Sequence, residues 1–176
     1  MEFILMDLSQ KATYKDEMLK MLCYSDKEFV PPLSARSSTT QKDLSGSVMV
    51  ENGLESYFSE MCNQQIMGVF EDDTLLSFIS FRENYTSDVI GEQYLPNIYL
   101  STLVSKPETR GRGITVKLYD HLFNHCYADR FVLTRTWSTN FAHTRILEKF
   151  AFGELLRIAD DRGKGIDTVY YVKKAV

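Results

Sequence analysis

Ile98-Tyr99-Leu100-Ser101-Thr102-Leu103-Val104, closed by Pro107, runs into Arg110-Gly111-Arg112-Gly113-Ile114-Thr115. The first stretch is apolar and extended. After the second come Leu118, Tyr119, Leu122, Phe123, Cys126 and Tyr127, pairs that recur every four residues as one face of a helix requires. A strand therefore enters a glycine turn that opens a helix. Such a turn aims several backbone N–H groups and the positive end of a helix dipole at one point, which suits a phosphate. Gly111 and Gly113 carry no Cβ, so an anion can approach the main chain closely. Arg110 and Arg112 add charge and forked donors. The segment reads as a pyrophosphate cradle.

Outward from this centre the periodicities continue. Toward the N-terminus, Phe3 to Leu8 reads as a strand, and Tyr14, Met18, Met21 and Leu22 give a helix that stops at Pro31-Pro32. Leu33 to Ser47 is polar and reads as a long loop or weak helix. Leu54, Tyr57, Phe58 and Met61 recur at helical spacing. Ile66 to Phe70 and Thr74 to Phe81 read as strands of a hairpin through Asp72-Asp73, and Glu83 to Pro96 as a loop. Beyond the centre, Phe131 to Trp137 reads as a strand. Ser138-Thr139-Asn140 caps a helix whose apolar face is Ala142, Ile146, Leu147, Phe150 and Ala151. Leu155 to Ala159 and Thr168 to Val172 close the chain around the polar loop Asp160 to Asp167. The predicted order, β-α-α-β-β-β-α-β-α-β-β, is a mixed α/β layer fold in a single domain over residues 1–176.

Composition narrows the function. With 44% apolar and 25% charged residues the chain is an ordinary soluble globular one. A net charge of −4 gives no general attraction to nucleic acid or to anionic membranes. The acidic balance favours a cationic partner. Cys23, Cys62 and Cys126 are odd in number and fall in helix-like stretches, so buried free thiols and a reducing, cytoplasmic setting are expected. Met1 to Asp7 lacks the basic region of a secretory signal, and no apolar run approaches the roughly 20 residues of a membrane span.

Three chemistries compete for the glycine turn. The spacing of a P-loop is absent. A dinucleotide fingerprint would place its third glycine at Val116, and no acidic residue near Arg135 ends the next strand to bind a ribose. The third is a resemblance. Pro107-x-x-Arg110-Gly111-Arg112-Gly113-Ile114, after a strand and before Leu118 and Leu122, resembles the acetyl-CoA motif of the GNAT superfamily of N-acyltransferases, Gln/Arg-x-x-Gly-x-Gly/Ala, with Thr115 at the last position. Asn140-Phe141-Ala142-His143 and Leu147-Glu148-Lys149-Phe150-Ala151-Phe152 are similar to the family's Asn-x-x-Ala and Tyr-Glu-Lys-Leu-Gly-Phe.

The resemblance implies a GNAT-like fold, with a central, mostly antiparallel sheet of about seven strands flanked by helices. It also implies that the amides of Arg110, Gly111, Arg112, Gly113, Ile114 and Thr115 hold the pyrophosphate of acetyl-CoA. The strand edge at Leu103, Val104 and Ser105 would pair with the pantetheine and supply an oxyanion donor, and strands carrying Thr102 and Thr134 would splay to admit it. Asn140 would contact the cofactor while capping its helix. Many family members carry at position 147 a Tyr that protonates the leaving thiolate; here it is Leu147. Glu83, Tyr99 and Ser101 are candidates for the base that deprotonates the amine. Cys126, on the apolar face of its helix, is not expected to be a nucleophile.

The expected activity is acetyl transfer from acetyl-CoA to a primary amine, a small molecule or a peptide, by direct attack in a ternary complex. A CoA-binding regulatory or interaction protein and a nucleotide-binding module are the alternatives. No metal is expected: His121 and His125 share a polar helical face without a third ligand, and His143 falls in the first turn of its helix. The resemblance places the loop Asp160 to Asp167 beside the acceptor, with the segment Arg36 to Ser47 across the cleft. A strand edge at Thr168 to Val172 suggests a homodimer.

Overall fold

Asp72 and Asp73 both take a left-handed backbone, φ 47° and 60°, and turn the chain back on itself between β2 (Gln65–Glu71) and β3 (Thr74–Glu83). Positive φ at both central residues is what a two-residue hairpin needs to match strand twist. The structure, a computed structural model, describes residues 1–45 and 52–174. The predicted early loop therefore runs partly outside the described residues, at Gly46 and Ser47.

Ahead of the hairpin lie β1 (Glu2–Leu5), α1 (Leu8–Thr13), α2 (Lys15–Ser25) and α3 (Gly53–Cys62). The predicted first strand stops at Leu5 rather than Leu8, because Asp7 caps a helix. Its carboxylate accepts from the Gln10 N–H at 2.8 Å, and its own N–H donates to the Gln10 side chain at 3.0 Å. Among the described residues the chain between β1 and the hairpin thus holds three α-helices where two were expected. After it come β4 (Asn97–Ser105), α4 (Ile114–His121), β5 (Phe131–Trp137), α5 (Phe141–Lys149), β6 (Gly153–Ile158) and β7 (Thr168–Lys173).

All seven strands join one sheet in the order β1-β2-β3-β4-β5-β7-β6, and the pairing is antiparallel everywhere except between β4 and β5. Helices α4 and α5 cover one face through Ile79, Phe81, Ile98, Leu100, Leu118 and Leu147. Helices α2 and α3 cover the other, where Met18, Leu22, Tyr57, Phe58 and Met61 pack on Ile66, Phe70 and Phe78. On that second face, beside β5, sits a smaller cluster of Ile90, Tyr99, Leu133 and Tyr170.

Two expectations are corrected by this topology. Thr168 to Val172 is not an edge: β7 lies between β5 and β6, because the chain returns from β6 to fill the position next to β5. The edges are β1 and β6. The cysteines are not a buried set either, since Cys23 and Cys126 are exposed and Cys62 is half-buried. For Cys126 the cause is a widened π turn over Leu122–Cys126, in which the Tyr127 N–H donates to the Leu122 carbonyl. The extra residue advances the helical phase, so Tyr127 takes the buried position and Cys126 turns outward. Among the described residues no helix is long and apolar enough to cross a membrane.

Candidate functional site

The site begins with a mismatch between two strands. Along β3 and β4, Ser80 faces Thr102 while Phe81 faces Leu100, so Ser101 is an extra residue bulged out of β4. The parallel ladder between β4 and β5 runs from Asn97 and Phe131 to Leu100 and Thr134 and ends there. Beyond the bulge the strands part, and β4 continues to Ser105 with no partner on its β5 side. The Lys106 N–H donates to the Leu76 carbonyl on β3. Backbone directions alternate along a strand, so Leu103 and Ser105 turn their N–H and C=O groups into the gap.

A cavity of about 630 Å³ fills this gap and reaches both faces of the sheet. On the α4–α5 side its wall includes Ile114, Tyr119, Asn140, His143 and Ile146; on the α2 side it includes Ser25, Glu28, Phe29, Arg135 and Trp137.

The glycine turn closes one end. Gly111 and Gly113 have φ of 77° and 69°, a left-handed conformation that L side chains rarely adopt, and a Cβ built on either meets no atom within 4 Å. The space in front of them is open. Among the described residues the N–H groups of Gly111, Gly113, Ile114, Thr115 and Val116 have no protein acceptor, whereas those of Arg110 and Arg112 bond the Pro107 and Thr109 carbonyls at 3.2 and 3.4 Å. A diphosphate fits a ring of free donors at a helix N-terminus with room for its oxygens. The set differs from the expected one: Arg110 and Arg112 do not offer their amides, and Val116 joins. Counting four donors from the Gly113 cap would have found Val116 in the sequence.

Both arginines of the turn are held by carboxylates. Arg110 grips Glu28 with bonds of 2.7 and 2.8 Å, and Arg112 grips Glu71 with two of 3.0 Å. Arg110 still lines the cavity; Arg112 does not. Leu103, Val104, Ser105, Gly111, Gly113, Ile114, Thr115 and Asn140 all do. Asn140 accepts from the His143 N–H at 3.3 Å, which makes it the helix cap, and donates to the Thr136 hydroxyl at 3.0 Å.

The three candidate bases separate. Glu83 lies off the cavity, where it accepts from the Tyr127 hydroxyl at 3.0 Å and pairs with Arg130 at 2.8 Å. Tyr99 is buried in the small cluster against Leu133, and burial pushes its phenol up. Only Ser101 reaches the cavity wall, with its hydroxyl bonded to Ser80 and to the Gln64 side chain.

Leu147 is fully buried in the core and does not line the cavity. The titratable pair on that wall is Tyr119 and His143, joined at 2.7 Å between hydroxyl and Nε2. Burial pushes the imidazole down to about 4, so it is neutral at physiological pH. Helix periodicity marked Tyr119 only as a core residue, and nothing local joins it to His143. The other two histidines stand apart, His121 stacked on Phe3 with ring centroids 4.8 Å apart and His125 exposed.

The sequence profile of the acetyltransferase (GNAT) family matches residues 36–152. A comparison with curated protein sequences returns no match. Solved structures share the fold at low identity. An aminoglycoside 6′-N-acetyltransferase complexed with coenzyme A superposes with a TM-score of 0.68 at 14% identity, over 100% of this chain and 98% of that one. The ribosomal-protein-alanine N-acetyltransferase of Brucella melitensis gives 0.66 at 11% identity, over 99% of both chains. The yncA protein of Salmonella typhimurium, solved with its cofactor acetyl-CoA, gives 0.64 at 13%, over 100% of this chain and 94% of that one.

Proposed function

Because the chain belongs to the acetyltransferase (GNAT) family, we propose that it transfers the acetyl group of acetyl-CoA to a primary amine by direct attack in a ternary complex. The observation that carries this reading is the gap between β4 and β5, open on both faces of the sheet and closed at one end by free backbone donors. The five free amides of the turn bind the diphosphate. The gap-facing groups of Leu103 and Ser105 hold the pantetheine as an added strand, with Asn140 beside it. A β4 N–H at the bulge polarises the thioester carbonyl, and the amine arrives from the α2 side.

The wall supplies no tyrosine at position 147. A thiol with a pKa of roughly 8.5 departs tolerably as a thiolate, so the reaction does not require one. Tyr119 and His143 are the side chains on that wall able to pass a proton. With Glu83 and Tyr99 off the cavity, water held near Ser101 is the route by which the amine loses its proton. The reading carries with it one domain over residues 1–176, a cytoplasmic setting supported by three free cysteines, and no role for metal, nucleic acid or membrane. A second copy would pair along β6, where Leu156 is exposed. The burial of Leu147 favours one other reading, a CoA-binding protein of the same fold without turnover.

Thermal unfolding with acetyl-CoA, CoA, ATP and NAD, beside a Gly113→Glu control and a turnover assay, decides among these. A ligand at about 100 times its Kd adds roughly 2.7 kcal/mol, which for a chain of this size raises Tm by about 5–10 °C. A rise with CoA compounds alone, lost in the control and accompanied by turnover, is the expected result. A rise without turnover on any amine favours the binding protein, and no rise sinks the transferase.

A further inference from the structure

On the α2 side of the sheet three arginines converge where β5 leaves β4. Arg36 and Arg162 are 5% and 6% exposed. Both donate to one carbonyl, that of Val30, at 3.4 and 2.7 Å. Arg135 follows directly on Thr134, the last residue of the β4–β5 ladder, and its side chain forms part of the cavity wall. Burial, with Arg36 and Arg135 adding to it, pulls the Arg162 guanidinium down to about 9. An arginine does not release its proton at neutral pH, so the displacement reflects chiefly the cost of burying this charge, to which the two neighbouring arginines add.

Among the described residues none of the three arginines takes part in an ion pair. Asp161 is one step removed, bonded to the Thr168 hydroxyl that accepts from Arg162 at 2.9 Å. Glu28 also lines the cavity, but Arg110 already holds both its oxygens. Arg36 spends donors on the Pro31 and Val30 carbonyls. Among the described residues Arg135 makes two long bonds, to the Tyr170 hydroxyl at 3.3 Å and the Thr39 carbonyl at 3.5 Å. Its remaining donors are not sealed in the core, since among the described residues the one sealed, unpartnered side-chain polar atom is Arg82 Nε. Buried cations are costly unless paired, and like charges held together are costlier still. The cluster is incomplete until an anion enters.

Two aromatic rings frame the opening. Phe29 and Trp137, both on the cavity wall, stand 5.8 Å apart between centroids. Arg36 lies over Phe29 and Arg162 over Trp137, at 5.5 and 5.7 Å. The local charge here is opposite in sign to the chain's net −4, so the cationic partner suggested by overall composition does not match this end of the cavity.

We propose that this end of the cavity binds an oxyanion on the acceptor itself: the acceptor is a small amine that also carries a carboxylate or phosphate. Arg135 grips that group with its remaining donors. Arg36 and Arg162 strengthen the field from behind, and Phe29 and Trp137, in contact with each other, give the carbon skeleton an apolar wall to rest on. The identification of the bound molecule as an acceptor rests on the acetyl-transfer reading; the anion subsite does not.

The test uses matched ligand sets on the intact chain, with and without CoA: free α-amino acids beside their amides, and phosphoethanolamine beside ethanolamine. Thermal stabilisation and acetyl-CoA turnover are both read. The anionic member of a set is expected to bind about tenfold or more tightly than its neutral counterpart, and the set showing this identifies the anion as carboxylate or phosphate. Arg135→Gln is expected to abolish that preference while leaving the affinity for CoA unchanged, with Arg135→Lys retaining part of it. The proposal is overturned if neutral members bind as well, if no anionic member binds, or if Arg135→Gln weakens both members equally. If the variants do not fold, the wild-type sets still decide. Loss of the CoA effect with the anion preference intact sinks the transferase and spares the subsite; the reverse outcome does the opposite.

Discussion

Leu100 on β4 and Thr134 on β5 are the last partners of the sheet's one parallel ladder, and the bulge at Ser101 follows immediately on one side of the pair. Past this point the N–H groups of Leu103 and Ser105 face a gap instead of a strand. Proline at an edge removes a donor without disturbing the ladder on the other side. Ser105→Pro is therefore expected to weaken CoA binding by about two- to tenfold, the worth of one hydrogen bond. Calorimetric titration of CoA checks this; unchanged affinity refutes the added-strand role.

Gly113 separates backbone strain from steric clash. At φ 69° with open space in front, a methyl group meets nothing but strains the main chain. Gly113→Ala should cost about 1–2 kcal/mol of stability. Because the new Cβ projects from the cradle backbone, CoA affinity should fall as well. Chemical denaturation and CoA titration of one variant measure the two effects separately.

His143 makes stability depend on pH in a defined window. Its folded pKa lies near 4, below the ordinary value of 6.5, because burial penalises the charged ring. The stabilisation is complete above 6.5 and is lost as pH falls toward 4, where the unfolded chain holds a proton the folded one does not. The loss reaches at most about 3 kcal/mol. Urea midpoints across this range should flatten in His143→Gln, and an unchanged slope contradicts the assignment.

Leu147, where the family resemblance implies a tyrosine, is fully buried and does not line the cavity. Leu147→Tyr forces a larger, polar side chain into a fully buried site and should destabilise by about 1–3 kcal/mol. It should not raise kcat. Tyr119→Phe tests the alternative on the wall: a lower kcat at unchanged CoA affinity identifies its hydroxyl as part of the proton route.

Local patterns announced much of this fold because their physics is local. The glycine turn, the Asp72-Asp73 hairpin and the Asn140 cap each depend on a few consecutive residues and their φ preferences. Periodicity failed where a neighbour changed the phase or the start of an element. The Asp7 capping box took Leu8 out of the first strand. The π turn moved Cys126 out of the face that a regular four-residue repeat assigned to it.

The sequence by itself determined most of the strands and helices and the glycine turn whose free amides could hold an anion, since hydrogen-bond geometry and side-chain period are properties of short stretches. Only the tertiary structure decided that β7 lies inside the sheet, that Glu83 and Tyr99 miss the cavity, and that Tyr119 meets His143. It also decided that Arg36, Arg135 and Arg162, scattered through the chain, meet without an ion-pair partner among the described residues. Such meetings follow from strand register and from the packing of helices on both faces of the sheet, and no local pattern encodes either.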